Sequence, residues 1–305
     1  MSLLVVGSIA LDTVKTPVEE HADLLGGSAS YAALGASFFT GVNLVGVVGD
    51  DFPETEFEFW KSHRIDAPGV QRAAGKTFRW SGEYAWDLNT RETRSVALNV
   101  FETFSPKLPP VYRATPFVLL ANIAPKLQAH VLNQMEQPRF IVADTMDLWI
   151  ETARVDLDAL LQRVDLLILN DSEAREMTKE TSLIRAGRKI RGCGPRYVAI
   201  KKGEHGALLF SKDDFFSAGA YPLEDIHDPT GAGDTFAGGL AGYLAAHAKE
   251  NVTFELLRKA VIYGSVMASF CVEAFSLERL RKLTQDEIAG RYRMFKMMSQ
   301  FEVLS

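Results

Sequence analysis

Apolar runs of strand length alternate with helix-length segments along this chain, and that rhythm limits the folds open to it. Val42 to Val48, Phe117 to Ile123, Phe140 to Asp144, Leu166 to Asn170 and Tyr197 to Ile200 each read as a strand. Strands that hide both faces lose the in-out alternation of a half-exposed strand, and crossovers long enough for a helix make their neighbours parallel. The expectation is an α/β fold of three layers, a mostly parallel central sheet covered on both faces. With 305 residues, 47% of them hydrophobic, the chain is long enough to build one large core. No internal repeat, low-complexity tract or long Pro/Gly linker interrupts it, so residues 1–305 are read as a single unit.

One region breaks the rhythm. Gly75 to Val100 is rich in Thr, Arg and aromatic residues, with a turn around Asp87 to Thr90, and reads as a two-stranded ribbon with little core of its own. Phe78, Trp80, Tyr84 and Trp86 fall at even spacing and share one face if no bulge intervenes.

The stretch Asp228-Pro229-Thr230-Gly231-Ala232-Gly233-Asp234-Thr235-Phe236 is the most specific signal for chemistry. Three small residues precede a segment, Thr235 to Ala248, whose apolar positions Phe236, Leu240 and Leu244 recur at helical spacing. Unpaired N–H groups at a helix start cradle a phosphoryl group or the charge formed in its transfer. A carboxylate at Asp234 would repel a phosphate unless it takes a proton from the attacking hydroxyl. The plainer alternative is that Asp234 caps the helix and the glycines only turn the chain.

The nonapeptide resembles the second signature of the ribokinase-like family of carbohydrate and nucleoside kinases, the PfkB family. That resemblance implies a ribokinase-like sandwich in which Asp12 to Leu25 and the ribbon Gly75 to Val100 form a small β lid over the substrate, Gly231, Ala232 and Gly233 supply an anion hole and Asp234 is the catalytic base. Further matches are found along the chain. Leu3 to Leu11 reads as a buried strand ending in a small-residue turn that delivers Asp12, and in the family an Asp here binds substrate hydroxyls. Gly26-Gly27-Ser28-Ala29-Ser30-Tyr31 resembles the first family signature, which places Gly26, Gly27 and Tyr31 beside the acceptor, although Tyr31 stands where many sugar kinases have Asn and Ser28 where ribokinases have Lys.

Asn170 and Glu173 follow the strand Leu166 to Leu169 and face the ligand crevice of an open α/β sheet. By resemblance this Asn-x-x-Glu holds Mg²⁺ and the phosphates of ATP, usually through water, which suits a hard cation; by itself it is as readily a helix start. Gly203 and Gly206 sit in a hairpin between Tyr197 to Ile200 and Ala207 to Phe210, and resemblance puts them beside the nucleotide. Lys201 or Lys202 is the candidate cation for its phosphates, the alternative being a solvated charge. Resemblance also assigns Asp228 and Thr230 to a monovalent cation such as K⁺, while Val272 to Ser276 departs from the Gly-Ala pattern of ribokinases.

The remaining readings are exclusions. A net charge of −6 leaves no basic footprint for nucleic acid. Cys193 and Cys271 are too few for a disulfide framework or zinc site, and no apolar run is long enough to cross a bilayer, so a reducing, cytoplasmic setting is expected. Neither a P-loop nor a dinucleotide fingerprint is present. The expected partner is a small sugar or nucleoside, with a homodimer through the lid as an option. A sugar-phosphate kinase would need a cationic site, for which Arg79, Arg91 and Arg94 are the candidates. A sensor that binds sugar or nucleotide without catalysis would have no need of Asp234.

Overall fold

The computed structural model describes residues 2–300 and 302; residues 1, 301 and 303–305 of the expected single unit lie outside the described residues. In chain order the strands are β1 (Ser2–Val6), β2 (Ala10–Lys15), β3 (Glu20–Gly26), β4 (Gly41–Val48), β5 (Ile65–Arg72), β6 (Arg79–Tyr84), β7 (Arg91–Ala97), β8 (Phe117–Leu120), β9 (Phe140–Asp144), β10 (Leu166–Asn170), β11 (Tyr197–Lys201), β12 (Ala207–Phe210) and β13 (Phe215–Ala218). A nine-stranded sheet runs in the order β13, β12, β11, β10, β9, β8, β1, β4, β5. From β11 to β5 every neighbouring pair is parallel, and β12 and β13 add an antiparallel edge.

The helices are α1 (Ser28–Ser37), α2 (Glu54–Ser62), α3 (Pro125–Leu132), α4 (Asp147–Thr152), α5 (Arg154–Leu161), α6 (Asp171–Thr178), α7 (Leu183–Arg191), α8 (Ala232–His247), α9 (Phe254–Cys271), α10 (Glu278–Arg281) and α11 (Gln285–Met298). They divide between the two faces. Leu3 and Val5 of β1 pack with residues of α1, α2, α8, α9 and α11, whereas Leu4 and Val6 pack with residues of α3 to α7. Successive side chains of one strand thus enter opposite cores, which is why these strands are apolar throughout.

Two expected strands end early. The run from Phe117 stops at Leu120, and the run from Leu3 stops at Val6. A Cβ on Gly7 would meet Ser28 Oγ at 2.6 Å, so the chain passes close to α1 here and re-emerges as β2 in a second sheet. Asp12 therefore lies on a lid strand and not at the turn after β1. The second sheet, in the order β3, β2, β6, β7, is the lid. Its β6–β7 pair carries a bulge between Ser81 and Gly82.

Helices α1 and α8 lie unusually close. A Cβ on Gly238 would stand 2.1 Å from the Ala32 carbonyl oxygen, and one on Gly242 would stand 2.7 Å from Ala36 Cα. Bare glycine surface on α8 lets the two helices approach, which sets their N-termini side by side at one end of the sheet. Among the described residues no helix is long and apolar enough to cross a membrane.

Candidate active site

Gly231 opens α8 in the left-handed region at φ 75°, where a side chain would be strained, and a Cβ there would strike the Tyr31 ring at 2.3 Å. The Ala232 amide donates to the Pro229 carbonyl at 3.3 Å and the Thr235 amide to Gly231 at 2.8 Å. The amides of Gly233 and Asp234 donate to no acceptor among the described residues. The Gly231 amide is likewise without an acceptor there, so of the three amides that the sequence reading gave to the anion hole Gly231 and Gly233 stand open, together with that of Asp234. Asp234 does not cap the helix: α8 has no side-chain cap, and the Asp234 carboxylate accepts no hydrogen bond among the described residues. Burial and then Asp144 raise its pKa to about 7, against the opposing pull of Lys201 and Arg91. A carboxylate of that pKa is suited to accept a proton near neutrality.

On the acceptor side, the first turn of α1 and strand β2 frame Asp12. Its Oδ1 is buried without a hydrogen-bond partner, an arrangement that calls for a ligand donor. Desolvation is the main reason that Asp12 titrates near 7, with the Gly27 and Trp80 amides working the other way. A Cβ on Gly26 would land 1.9 Å from Asp12 Oδ2, and Gly27 sits at φ 86° with Ser8 O 2.5 Å from its absent Cβ. The double glycine makes room for the carboxylate itself. Tyr31 is only 2% exposed, and its ring lies beneath Gly231, so it supports the anion loop from below. Gly26→Ala is expected to displace Asp12, raising the acceptor KM about tenfold or more, the loss of one charge-assisted hydrogen bond. ATP affinity stays near normal; initial rates over a grid of both substrates check this.

On the other side, three parallel strands end together. Register pairs Asn170 of β10 with Lys201 of β11, and Asp144 of β9 with Ile168 of β10, so Asp144, Asn170 and Lys201 line one rim. Lys201 Nζ lies 3.2 Å from Asp144 Oδ2. Asn170 and Glu173 form a capping box for α6: the Glu173 amide donates to Asn170 Oδ1 at 2.8 Å, and the Asn170 amide to Glu173 Oε2 at 2.6 Å. The helix-start reading of Asn-x-x-Glu is therefore realised in the fold. Glu173 Oε1 accepts from no protein donor among the described residues, and burial lifts this carboxyl to about 7. Asp144 escaped the sequence reading, although it ends a recognised strand as Asn170 does.

Gly203 and Gly206 flank a short 3₁₀ turn between β11 and β12, at φ 54° and 86°. The lid reaches this turn and the anion loop. Asn89 Nδ2 donates to Glu204 Oε1 at 3.4 Å, and Thr230 Oγ1 donates to the Tyr84 hydroxyl at 3.1 Å. The aromatic face expected on the ribbon is not continuous, because of the bulge beyond Ser81. Tyr84 is buried, Trp80 is part-buried with its ring filling the space over Gly82, and Trp86 is 87% exposed. Asp228 is fully engaged by backbone. Its Oδ1 accepts from the Thr230 amide at 2.8 Å and its Oδ2 from the Ser276 amide at 3.1 Å, which ties the anion loop to the segment after α9.

A buried, unbonded carboxylate beside open helix-start amides, under a folded-over β lid at the carboxyl ends of parallel strands, is an arrangement suited to phosphoryl transfer. Comparison with known proteins agrees. The model of the pfkB family carbohydrate kinases matches residues 5–280, and the chain belongs to that family. It is 31% identical over 252 residues, 80% of its length and 88% of the relative's, to a cytidine kinase of Thermococcus kodakarensis. The Methanocaldococcus jannaschii nucleoside kinase structure, described as an archaeal member of the ribokinase family, superposes with a TM-score of 0.76 at 18% identity, covering 96% of this chain and 98% of that one. An aminoimidazole riboside kinase from Salmonella enterica, crystallised with aminoimidazole riboside and an ATP analog, gives 0.75 at 17% identity over 96% and 100% of the two chains. The chain is a kinase of the sugar or nucleoside type.

Proposed function

We propose that this kinase transfers the γ-phosphoryl group of ATP to the hydroxymethyl group of a ribose-containing acceptor, a nucleoside ahead of a free sugar and cytidine first among nucleosides. The observation that carries the chemistry is Asp234, an unbonded carboxylate on the first turn of α8 beside the open amides of Gly231, Gly233 and its own. The acceptor class draws on the cytidine kinase relative and on the part-buried Trp80 and buried Tyr84 of the lid, whose rings offer stacking area to a base.

In this reading Asp12 holds the acceptor's hydroxyls and Asp234 takes the proton of the attacking one. The amides of Gly233 and Asp234 receive the charge on the transferring group. Tyr84 and the lid tip, docked on Thr230 and Glu204, exclude water that would compete as nucleophile. Glu173, whose Oε1 is left over from the capping box, and Asn170 beside it offer hard oxygens at the crevice rim that fit a hydrated Mg²⁺. Mg²⁺, when bound with ATP, neutralises phosphate charge during transfer. Asp228 accepts one backbone amide with each of its oxygens, and no step here runs through a monovalent cation.

Glu173→Gln preserves the capping box, since glutamine serves that position as well. It is expected to raise the Mg²⁺ concentration for half-maximal rate at least threefold while leaving the acceptor KM unchanged, read from a Mg²⁺ titration of rate. A sugar-phosphate acceptor is left one candidate cation: Arg79 pairs with Asp23 and Asp51 and Arg94 with Glu83, while the Arg91 guanidinium lies over the Trp80 ring at 5.4 Å. An ADP-release screen of nucleosides, pentoses, hexoses and hexose phosphates tests the acceptor class. Activity confined to phosphorylated hexoses would sink it. Sedimentation of the wild type and Trp86→Ala tests whether the exposed edge of the lid joins two copies.

A further inference from the structure

We infer that Lys201 is the fixed cation of the phosphoryl-transfer site and that Asp144 is the residue that positions it. The inference rests on the kinase reading above and adds a catalytic group to it.

The plain alternative is a structural ion pair that closes the sheet. Three observations point elsewhere. First, β10 stands between β9 and β11, so the pair bridges across the end of β10, at the rim where Asn170 lies. Second, the Lys201 side chain keeps 18% exposure while that of Asp144 keeps 5%, so the lysine is the more accessible member of the pair. Third, the ammonium lies 3.0 Å from where a Cβ on Gly233 would stand, which sets it against an open amide of the anion hole. A phosphoryl oxygen received by that amide would come within reach of the lysine.

The surrounding charges agree with this geometry. Asp144 on β9, Glu173 on α6 and Asp234 on α8 all act on Lys201 and raise its pKa, so one ammonium faces three carboxylates. Asp144 is the only one of the three that bonds it, at 3.4 Å and 3.2 Å through its two oxygens. That contact anchors one side of a compact point charge and leaves the other donors for a ligand. In the transfer step the acceptor oxygen forms its bond to the γ-phosphorus and its proton passes to Asp234. The bond from the γ-phosphorus to the bridging oxygen breaks, and its electron pair leaves with ADP. Lys201 gives up no proton; it stabilises the charge on the equatorial oxygens while the group is in flight.

The test uses Lys201→Met, Asp144→Asn and the double variant in the full chain. For Lys201→Met, kcat is expected to fall about 10²- to 10³-fold, as when an oxyanion donor is removed, with the acceptor KM within about twofold. ATP affinity by calorimetry should fall about tenfold and ADP affinity within about twofold, because only ATP carries the terminal phosphate. Asp144→Asn should lower kcat by about tenfold with both KM values little changed. If Asp144 acts through the lysine, the double variant has the kcat of Lys201→Met alone. Should Lys201→Met fold poorly with Asp144 left unpaired, the double variant removes both charges and carries the same measurement. A Lys201→Met kcat within about threefold of the wild type, unchanged ATP binding, or multiplied losses in the double variant would overturn the inference. If the wild type turned over none of the acceptors tried, the substrate reading would fail, while the difference between ATP and ADP binding would still judge Lys201.

Discussion

Asp234→Asn lowers turnover by about 10²- to 10⁴-fold while ATP and acceptor continue to bind, the range expected when a general base is removed and shape is kept. The fold does not depend on this carboxylate, which makes no cap and accepts no hydrogen bond among the described residues. Its removal should in fact stabilise the free protein at neutral pH. Burial raises the folded-state pKa from 3.8 to about 7, so between those values the folded chain binds a proton that the unfolded chain has released. Wild-type stability from this group is full below about pH 4 and is lost as pH rises through about 7. The asparagine variant escapes that loss. Its melting temperature should exceed that of the wild type at pH 8, reflecting a stability difference on the order of a few kcal/mol or less, and match it at pH 4. Asp12 and Glu173, each raised to about 7 mainly by burial, add loss of the same sign in the wild type.

Gly238→Ala is expected to damage the protein far from any ligand. Its methyl group would stand 2.1 Å from the Ala32 carbonyl oxygen, and a backbone atom cannot step aside as a side chain can. The helices must separate, at a cost of about 3 kcal/mol or more, the upper end of overpacking effects. Because α1 carries Gly27 at its start and α8 carries Gly231, the separation also parts the two halves of the site. Urea unfolding should show a lower midpoint, and kcat/KM should fall with it. Gly290→Ala on α11, where only the Arg293 guanidinium comes within 4 Å, should leave both unchanged and serves as the control.

The parts of this molecule that were legible in the sequence are those written in contiguous residues. The stretch from Asp228 to Phe236 specifies a loop, a helix start and a carboxylate together, and the central strands announce themselves by apolar runs with no alternation. What escaped depends on register and distance. Asp144 and Lys201 meet only because their strands end level on either side of β10, 57 residues apart in the chain. The Tyr84 contact with Thr230 spans 146 residues. Asp12 was placed at the end of β1 because nothing in Leu3 to Leu11 marks the break at Gly7, which arises from the approach of Ser28. The even spacing of the lid aromatics held no sign of the bulge after Ser81, nor that the strand ends at Tyr84 and leaves Trp86 exposed in the turn beyond it. The capping box shows the converse: Asn170 and Glu173 satisfy the local helix rule outright, which neither supports nor excludes their second task at the metal.

The central claim is that Asp234 removes the proton from the attacking hydroxyl, and the pH dependence of phosphoryl transfer in the free enzyme tests it most directly. With kcat/KM for cytidine, or for the best acceptor of the screen, followed from pH 5 to 9 at saturating ATP and Mg²⁺, the wild type should rise by more than tenfold per pH unit on the acid side, as Asp234 and Asp12 both ionise, and level off above about 7. Asp234→Asn should be slow and keep only the shallower limb of Asp12, at most tenfold per pH unit. An acid limb of equal slope and midpoint in the asparagine variant, or a wild type with no acid limb at all, would contradict a base at Asp234.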